Sequence, residues 1–322
     1  MKRLYRAVCT AVILLYLIPG QAWAAELLIP GGQVIGLELR DNSVRVAAFD
    51  DALGCNARSA GLCIGDDILK INGKTIDTTE DVRAALSRRE GQAELIVERD
   101  GAQHKLTFDP AITGDGPRLG VYLRCGITGI GTVTYYDPET HDFGTLGHGV
   151  STGKGALAAM TEGSAYPGEI QTVVRGEAGA PGQLKGSADT AQAVGNLEKN
   201  TPQGVFGTST TGWLGEPLPV AEYSQVHTGP ATIRSTVAGS AVQEYSVEIS
   251  KIYPADRGDH RNFLIRVTDP ALLEITGGIV QGMSGSPIIQ DGKLIGAVTH
   301  VLVNDPTTGY GIFIENMLDA AS

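Results

Sequence analysis

A serine in a glycine-rich turn is the first residue of this chain whose surroundings could support chemistry. Residues 282–289 read GMSGSPII, so Ser284 lies in a tight turn just before an apolar strand. Backbone amides of such a turn can converge on one point, which allows a nucleophile and an oxyanion hole to share it. Ser284 is therefore a candidate nucleophile, and the amides of Gly282 and Ser284 are candidate oxyanion donors. Ser286 is interpreted as structural.

A serine hydroxyl attacks poorly until a base removes its proton, and imidazole has a suitable pKa. His148 lies in TLGHGV (145–150), where glycines on both sides leave the ring accessible at the end of an apolar strand. A single histidine is more often structural, so from the residues alone that alternative stays open. His300, in AVTHV (297–301), is expected beside the serine as a wall residue rather than a second base.

The composition indicates a globular, mainly β protein. The chain has 322 residues, 42% hydrophobic and 19% charged, which is enough for two or three domains. Its 43 glycines and few aromatic residues favour many tight turns. Acidic residues outnumber basic ones by 36 to 25, and no Lys/Arg-rich tract follows the N-terminus. This charge distribution argues against a nucleic-acid partner.

The N-terminus has the layout of an export signal. Lys2, Arg3 and Arg6 precede an apolar run over 7–18, and Ala22-Trp23-Ala24 offers small residues before a cleavage point. Residues 1–24 are therefore expected to be a signal peptide, with an uncleaved membrane anchor as the alternative. The run is shorter than the roughly 20 residues that span a bilayer.

The remaining cysteines are Cys55, Cys63 and Cys125. A bridge between Cys55 and Cys63 and small buried thiols are both open interpretations. No cysteine pair has zinc-ligand spacing with histidine, so no metal is expected.

Residues 26–110 are predicted to form one unit. Val34–Leu39 and Ser43–Phe49 alternate like strands on either side of a polar turn, and a helix is expected over 78–86 with Thr78 as its cap. AGLCIGDDILKINGKTI (60–76), followed by this helix, resembles a PDZ domain. The resemblance implies a groove in which a peptide adds a strand. The predicted peptide-binding residues are Ile35, Gly36, Leu37 and Val82; the alternative is that Val82 only fills the core.

From residue 115 to 322 the pattern is one short strand after another. Strands are expected over 244–252, 263–267 and 293–298, and Asp291-Gly292 is typical of a two-residue hairpin turn. Such a pattern predicts a sandwich or a pair of barrels.

Two long segments resemble one peptidase family. GTVTYYDPETHDFGTLGHGV (131–150) and GGIVQGMSGSPIIQDGKLIGAVTHVLVNDPTTGYGIFIENML (277–318) are similar to the stage IV sporulation protein B family of PDZ-containing serine peptidases. That family is grouped with the chymotrypsin-like double β-barrel peptidases. The resemblance implies Ser284 as nucleophile, His148 as base and Asp269 as the orienting acid, in the chain order of the chymotrypsin triad. Asp142 is a rival acid.

The sequence departs from the familiar pattern at three points. Residue 283 is methionine where digestive peptidases carry an aspartate that pairs with a new N-terminus, so that activation step is absent. Asp269 lies only 15 residues before Ser284, closer than in digestive enzymes. HGVSTGKGALAAM after the histidine also lacks an acidic Asp-x-Asp segment.

The resemblance implies an exported regulatory serine endopeptidase without a cofactor. It would cleave an extracytoplasmic segment of a membrane-protein complex in the intermembrane space of the developing spore, and thereby trigger intramembrane proteolysis and late sigma-factor maturation. The PDZ unit would hold a peptide end, either of a partner or of its own chain. The alternatives are a non-enzymatic PDZ adaptor with a decayed barrel, and a quality-control peptidase of the high-temperature-requirement type.

Overall fold

The structure is a computed structural model that describes residues 26–87, 91–152 and 155–322. The expected export signal at residues 1–24 lies outside these ranges. Within them, no helix is both long and apolar enough to cross a membrane.

Strands dominate the described ranges, as the composition predicts. The strands are β1 (Leu27–Pro30), β2 (Val34–Phe49), β3 (Asp67–Ile71), β4 (Lys74–Thr75), β5 (Ala93–Arg99), β6 (Ala102–Phe108), β7 (Ala111–Thr113), β8 (Gly116–Arg118), β9 (Val121–Tyr136), β10 (Asp142–Thr145), β11 (Glu162–Val174), β12 (Gln183–Ala188), β13 (Gly195–Thr201), β14 (Gly204–Ser209), β15 (Leu218–Pro219), β16 (Gly229–Ser235), β17 (Gln243–Ile252), β18 (Phe263–Val267), β19 (Pro287–Gln290), β20 (Lys293–Leu302) and β21 (Asp305–Phe313). The helices are α1 (Cys55–Ser59), α2 (Thr79–Ser87), α3 (Pro270–Thr276), α4 (Ile314–Ala321) and a 3-10 turn at Tyr223–Gln225.

Two six-stranded barrels form the larger part of the molecule. The first runs β9-β10-β14-β13-β11-β2 and closes where β2 pairs with β9. The second is the closed ring β16-β17-β18-β21-β20-β19. The hairpin predicted at Asp291-Gly292 joins β19 to β20, and both turn residues have the positive φ that such a turn requires. The predicted double β-barrel is confirmed.

The PDZ domain precedes most of the first barrel and contains α1, α2 and the β3-β5-β6 sheet. Alternating residues of its strands, such as Ile68 and Leu95, form a separate buried core with Val82 and Leu86 of α2. The predicted cap of α2 is confirmed: Thr78 Oγ1 accepts from the Asp81 amide at 3.1 Å, and the Asp81 carboxylate accepts from the Thr78 amide at 3.2 Å. These two bonds satisfy amides that the first helical turn leaves unpaired.

The structure divides the first hundred residues differently from the prediction. The two predicted strands are one strand, β2, with an irregularity between Leu39 and Val44 where a turn was expected. Its first half belongs to the first barrel, where residues 35–37 pair with β9 on one edge and β11 on the other. Ile35, Gly36 and Leu37 therefore have no free backbone edge to receive a peptide, and their assignment to the PDZ groove is corrected. Only the second half of β2 packs in the PDZ core.

The boundary of this unit also moves at its C-terminal side. Leu119 is buried in the PDZ core, and Val121, Leu123 and Cys125 pack against it. Residues beyond 110 thus complete the PDZ domain before β9 continues into the barrel. Cys55, Cys63 and Cys125 are free thiols, and Cys55 and Cys63 are exposed rather than buried.

Candidate active site

Ser284 lies in the turn that leads into β19. Donor groups on β9 hold this turn by hydrogen bonds to the carbonyl groups of the turn. Thr132 Oγ1 donates to the Gly282 carbonyl at 2.9 Å, and Thr134 Oγ1 donates to the Gly285 carbonyl at 2.8 Å. The Thr132 amide also donates to the Ser284 carbonyl at 3.2 Å. Both threonines are buried, so these bonds fix the turn of the second barrel against a strand of the first.

Gly285 shows why the turn needs glycine after the serine. Its φ is +96°, and a Cβ would lie 2.1 Å from the Thr132 carbonyl oxygen. Any other residue would be strained and would separate the turn from β9. The glycine thus allows the close approach on which the threonine contacts depend.

The backbone donors predicted for the oxyanion hole are unused. The Met283 amide donates to Val280 and the Gly285 amide to Val298, but within the described ranges the amides of Gly282 and Ser284 have no hydrogen-bond partner. The Ser284 hydroxyl donates to the Thr299 carbonyl at 2.8 Å. The turn therefore presents two free amides beside a hydroxyl that is held by a backbone acceptor. Ser286 is fully buried.

His148 follows a tight turn that passes over the second barrel. Leu146 and Gly147 both have positive φ, at 70° and 65°. A Cβ on Gly147 would lie 2.9 Å from Thr299 Cγ2, so the chain touches β20 at this point. Positive φ is costly for leucine and easy for glycine. The turn brings His148 from the first barrel to the strand that accepts the Ser284 hydroxyl.

The tautomer of His148 follows from its backbone contact. Nδ1 lies 2.9 Å from the Gly149 carbonyl oxygen. Because a carbonyl can only accept, Nδ1 carries the proton and Nε2 keeps a free lone pair. Burial lowers the pKa of His148 below its ordinary value. A neutral imidazole with a free Nε2 is the form that a general base needs.

Asn200 fixes the loop that carries this carbonyl. Its Oδ1 accepts from the Val150 amide at 2.9 Å, while Nδ2 donates to the carbonyls of Val150 at 2.9 Å and Ala158 at 2.8 Å. One side chain thus joins three backbone groups next to His148. We did not predict Asn200, Thr132 or Thr134 from the sequence, because each acts on a segment distant from it along the chain.

A cavity of about 670 Å³ lies between the barrels and is lined by two of the three predicted catalytic side chains. Ser284 and His148 line it together with His300, whose ring centre is 5.2 Å from that of His148. The rest of the wall is largely apolar. It includes Leu37, Leu39, Ile127, Ile130, Leu146, Val150 and Leu157.

Asp269 does not lie on this cavity wall. Its carboxylate caps α3, where Oδ1 accepts from the amides of Ala271 and Leu272, each at 3.0 Å, and Oδ2 accepts from Ser246 at 3.3 Å. Within the described residues no acidic side chain contacts His148, and Asp142 is exposed. This arrangement does not support the prediction that Asp269 orients the imidazole. It places the carboxylate at a helix terminus, where it satisfies unpaired amides.

The PDZ groove lies beside β9 rather than the first half of β2. A cavity of about 480 Å³ is lined by Val82 and Leu86 of α2 and by Leu119, Val121 and Leu123. Val121–Cys125 pair with β2 on one edge, and no described strand pairs with the other. That free edge and the apolar helix face form a groove of the kind that accepts an added strand. Gly120 directly precedes this edge and has a φ of +75°. A glycine just before the apolar run of β9 was the feature of the sequence that could have indicated this edge.

Two family models and one curated protein match parts of this chain. The family model described as SpoIVB peptidase S55 matches residues 116–318, and a PDZ domain model matches 52–99. A protein of Rhizobium meliloti (strain 1021), named as a candidate zinc metalloprotease, is 31% identical over 169 residues. That match covers 52% of this chain, and this chain spans less than half, 43%, of that relative.

Solved structures of one protease are also similar. The active form of the Rv3671c protease from M. tuberculosis matches with a TM-score of 0.38 and 15% identity, covering 61% of this chain and 75% of that one. Its inactive form matches with a TM-score of 0.36 and 16% identity, covering 59% and 82%.

The peptidase family model covers more than half of the chain. The matched range includes Ser284 and His148, which line the cavity. The barrel pair and the preceding PDZ domain agree with it. The chain therefore belongs to the SpoIVB peptidase S55 family and is a serine endopeptidase with an N-terminal PDZ domain.

Proposed function

We propose that Ser284 is the nucleophile and His148 the general base of a regulatory endopeptidase that acts outside the cytoplasm. The observation that carries this proposal is the shared cavity, in which the serine and a neutral histidine accompany two unused backbone amides. These are the components of acyl transfer to a serine hydroxyl.

The chemistry begins when the Ser284 hydroxyl leaves the Thr299 carbonyl and gives its proton to His148 Nε2. Oγ then attacks the scissile carbonyl carbon, and the amides of Gly282 and Ser284 bind the oxyanion that forms. The imidazolium returns the proton to the leaving amine, which departs as the C–N bond breaks. Water, deprotonated by His148, hydrolyses the acyl ester and restores the serine. The Gly149 carbonyl holds Nδ1–H throughout and keeps Nε2 as the working nitrogen.

The substrate in this proposal is an extracytoplasmic segment of a membrane-protein complex. Its cleavage triggers intramembrane proteolysis and late sigma-factor maturation during sporulation, in the intermembrane space of the developing spore. Family membership and the export-signal pattern of residues 1–24 support this assignment. The PDZ domain binds a peptide end, of the substrate or of its own chain, and the groove beside α2 supports that role.

Active-site labelling tests the chemistry. A fluorophosphonate probe is expected to label the purified wild-type protein, and Ser284→Ala is expected to abolish both labelling and peptide cleavage while the thermal unfolding curve is unchanged. Ser286→Ala serves as the matched control and retains labelling. Labelling of a Ser284→Ala protein would show that another residue is the nucleophile.

Substrate range tests the regulatory role. Extracytoplasmic fragments from cells that express wild type or Ser284→Ala are compared by mass spectrometry, and unfolded casein is digested in parallel. The proposal requires a few defined cleavages in membrane proteins and slow digestion of casein. Rapid, general digestion of casein would instead favour a quality-control peptidase.

A further inference from the structure

His300 is the second histidine on the wall of the catalytic cavity, and the proposed chemistry does not use it. It lies on β20 directly after Thr299, the residue whose carbonyl accepts the Ser284 hydroxyl. Its Nδ1 is buried and has no hydrogen-bond partner within the described residues. Burial, with smaller contributions from His148 and Arg261, lowers the pKa of His300 to about 4. The ring is therefore neutral at neutral pH, and its unpaired nitrogen needs a partner that the described part of the chain does not supply.

A cation lies close to this histidine. Tyr310 is the cross-strand partner of His300 in the β20–β21 pair, and directly opposed side chains lie on the same face of a sheet. The guanidinium carbon of Arg261 is 5.1 Å from the centre of the Tyr310 ring. His300, Tyr310 and Arg261 thus form a continuous row that begins at the cavity wall.

Among the described residues, the guanidinium of Arg261 also lacks an ion-pair partner. Its Nε is buried without a hydrogen bond, and no acidic side chain in the described ranges forms an ion pair with it. The nearby carboxylate, Asp259, binds Arg257 at 2.6 Å and the backbone amide of Arg261 at 3.2 Å. A buried donor of a cation that is left unpaired is costly, so the Arg261 Nε–H close to a cavity-lining histidine indicates an anionic ligand.

Arg257 provides an internal comparison in the same loop. It stacks on Tyr253 at 4.4 Å, much as Arg261 stacks on Tyr310, but its guanidinium is paired with Asp259. The two arginines therefore differ in whether a described carboxylate forms an ion pair with the guanidinium, and of the two only Arg261 contributes to the lowered pKa of His300.

We propose that His300 and Arg261 form a subsite that binds an acidic side chain of the substrate within a few residues of the scissile bond. The subsite rests on the proposed role of Ser284. Beyond Ala297, the edge of β20 that faces away from β21 has no described strand partner, so an extended peptide along it passes His300. The carboxylate pairs with the guanidinium of Arg261 and accepts from a ring N–H of His300, and both side chains are half-buried.

Matched peptides test this inference. Internally quenched octapeptides from a positional library first define a cleaved sequence, and pairs that differ only by Glu or Gln at each of the four positions on either side of the scissile bond are then compared. Wild type is expected to cleave one Glu peptide with a kcat/KM about tenfold above its Gln twin. Arg261→Gln is expected to remove this preference by slowing only the Glu peptide, and Arg257→Gln to retain it.

Two substitutions test the role of His300 separately from that of Arg261. His300→Asn retains a donor near the position of Nδ1 and is expected to retain much of the Glu preference, whereas His300→Phe loses it. Fluorophosphonate labelling monitors the folded active site in every variant, and Arg261→Met, which keeps the apolar stem, replaces Arg261→Gln if that protein unfolds.

Each outcome decides a different claim. Equal cleavage of all Glu and Gln pairs by a wild-type protein that is labelled normally overturns the subsite and leaves the proposed function intact. A Glu preference that survives Arg261→Gln overturns the assignment to Arg261. A wild-type protein that is neither labelled nor active on any peptide overturns the proposed function and the subsite together.

Discussion

The serine turn and the histidine loop are held in place by different means. Three hydrogen bonds from β9 fix the serine turn, and they come from two side chains and one amide. On the histidine side, Asn200 alone makes the side-chain contacts that join Val150 to Ala158. Two side chains therefore hold the serine turn. Within the described residues one side chain, Asn200, ties the histidine loop to β13, beside the backbone bond from the Ala158 amide to the Val150 carbonyl at 2.9 Å.

This difference indicates which half of the site is more sensitive to substitution. Losing one of several contacts from different residues leaves the others to hold the geometry, but losing Asn200 removes three hydrogen bonds at once. Since a displacement of about 1 Å at a reacting group can reduce the rate about 100-fold, the histidine side is the more sensitive half of the site.

The largest effect is expected from Asn200. Asn200→Ala should lower the rate of fluorophosphonate labelling about 100-fold, because the loop that presents His148 and the Gly149 carbonyl loses the three side-chain hydrogen bonds that tie it to β13. For peptide substrates, kcat should fall much more than KM changes. Asn72→Ala is the control, since Asn72 bridges Ala85 and Glu94 in the PDZ domain. A labelling rate that falls equally in both variants would show a general loss of stability.

The pH profile tests the histidine itself. Burial lowers the pKa of His148, and the base works only when neutral, so activity should persist to lower pH than with an ordinary imidazole. A histidine with a pKa of about 6.5 would leave about a tenth of the plateau rate at about pH 5.5, and this protein should retain clearly more. The labelling rate measured against pH gives the midpoint. A midpoint at or above the ordinary histidine pKa would contradict the buried, neutral base.

Substitutions of Asp269 distinguish a helix cap from a triad acid. Asp269→Ala should destabilise the protein by about 1 kcal/mol through loss of the α3 cap, and activity should fall less than about tenfold. Asp269→Asn and Asp269→Ser, which also cap helices, should be close to wild type in both respects. If Asp269→Asn instead reduces kcat by several orders of magnitude, the carboxylate orients His148 in the working enzyme and the site rearranges from the structure described.

The smallest effect is expected on the serine side. Thr134→Val removes one buried hydrogen bond to Gly285 at constant shape, so unfolding free energy should fall by about 1 kcal/mol. The labelling rate should stay within about twofold, because Thr132 still holds the turn. Thr236→Val, which removes a comparable bond to the Gly32 carbonyl far from Ser284 in sequence, is the stability control. A large loss of labelling in Thr134→Val alone would show that the serine turn is not redundantly supported.

The two halves of β2 show what the local sequence pattern predicts correctly and what it does not. Strand alternation correctly predicted extended backbone on both sides of residues 40–42, and the capping residues of α2 correctly predicted its start. The polar tripeptide between the runs was expected to be a turn. Pairing with β9 on both sides of the irregularity, and with β11 before it, keeps the chain extended, because tertiary hydrogen bonds outweigh local turn preference.

By itself, the sequence determined the mainly β architecture, the PDZ helix with its cap and the hairpin at Asp291-Gly292. It also singled out Ser284 and His148 as the residues to examine, since glycines and short apolar runs are local signals. Only the tertiary structure decided which strand edge is free beside α2, that Asp269 caps α3, and that Asn200 and Arg261 stand near the cavity. These assignments depend on contacts between residues far apart in the chain, and no local pattern encodes the partner that closes such a contact.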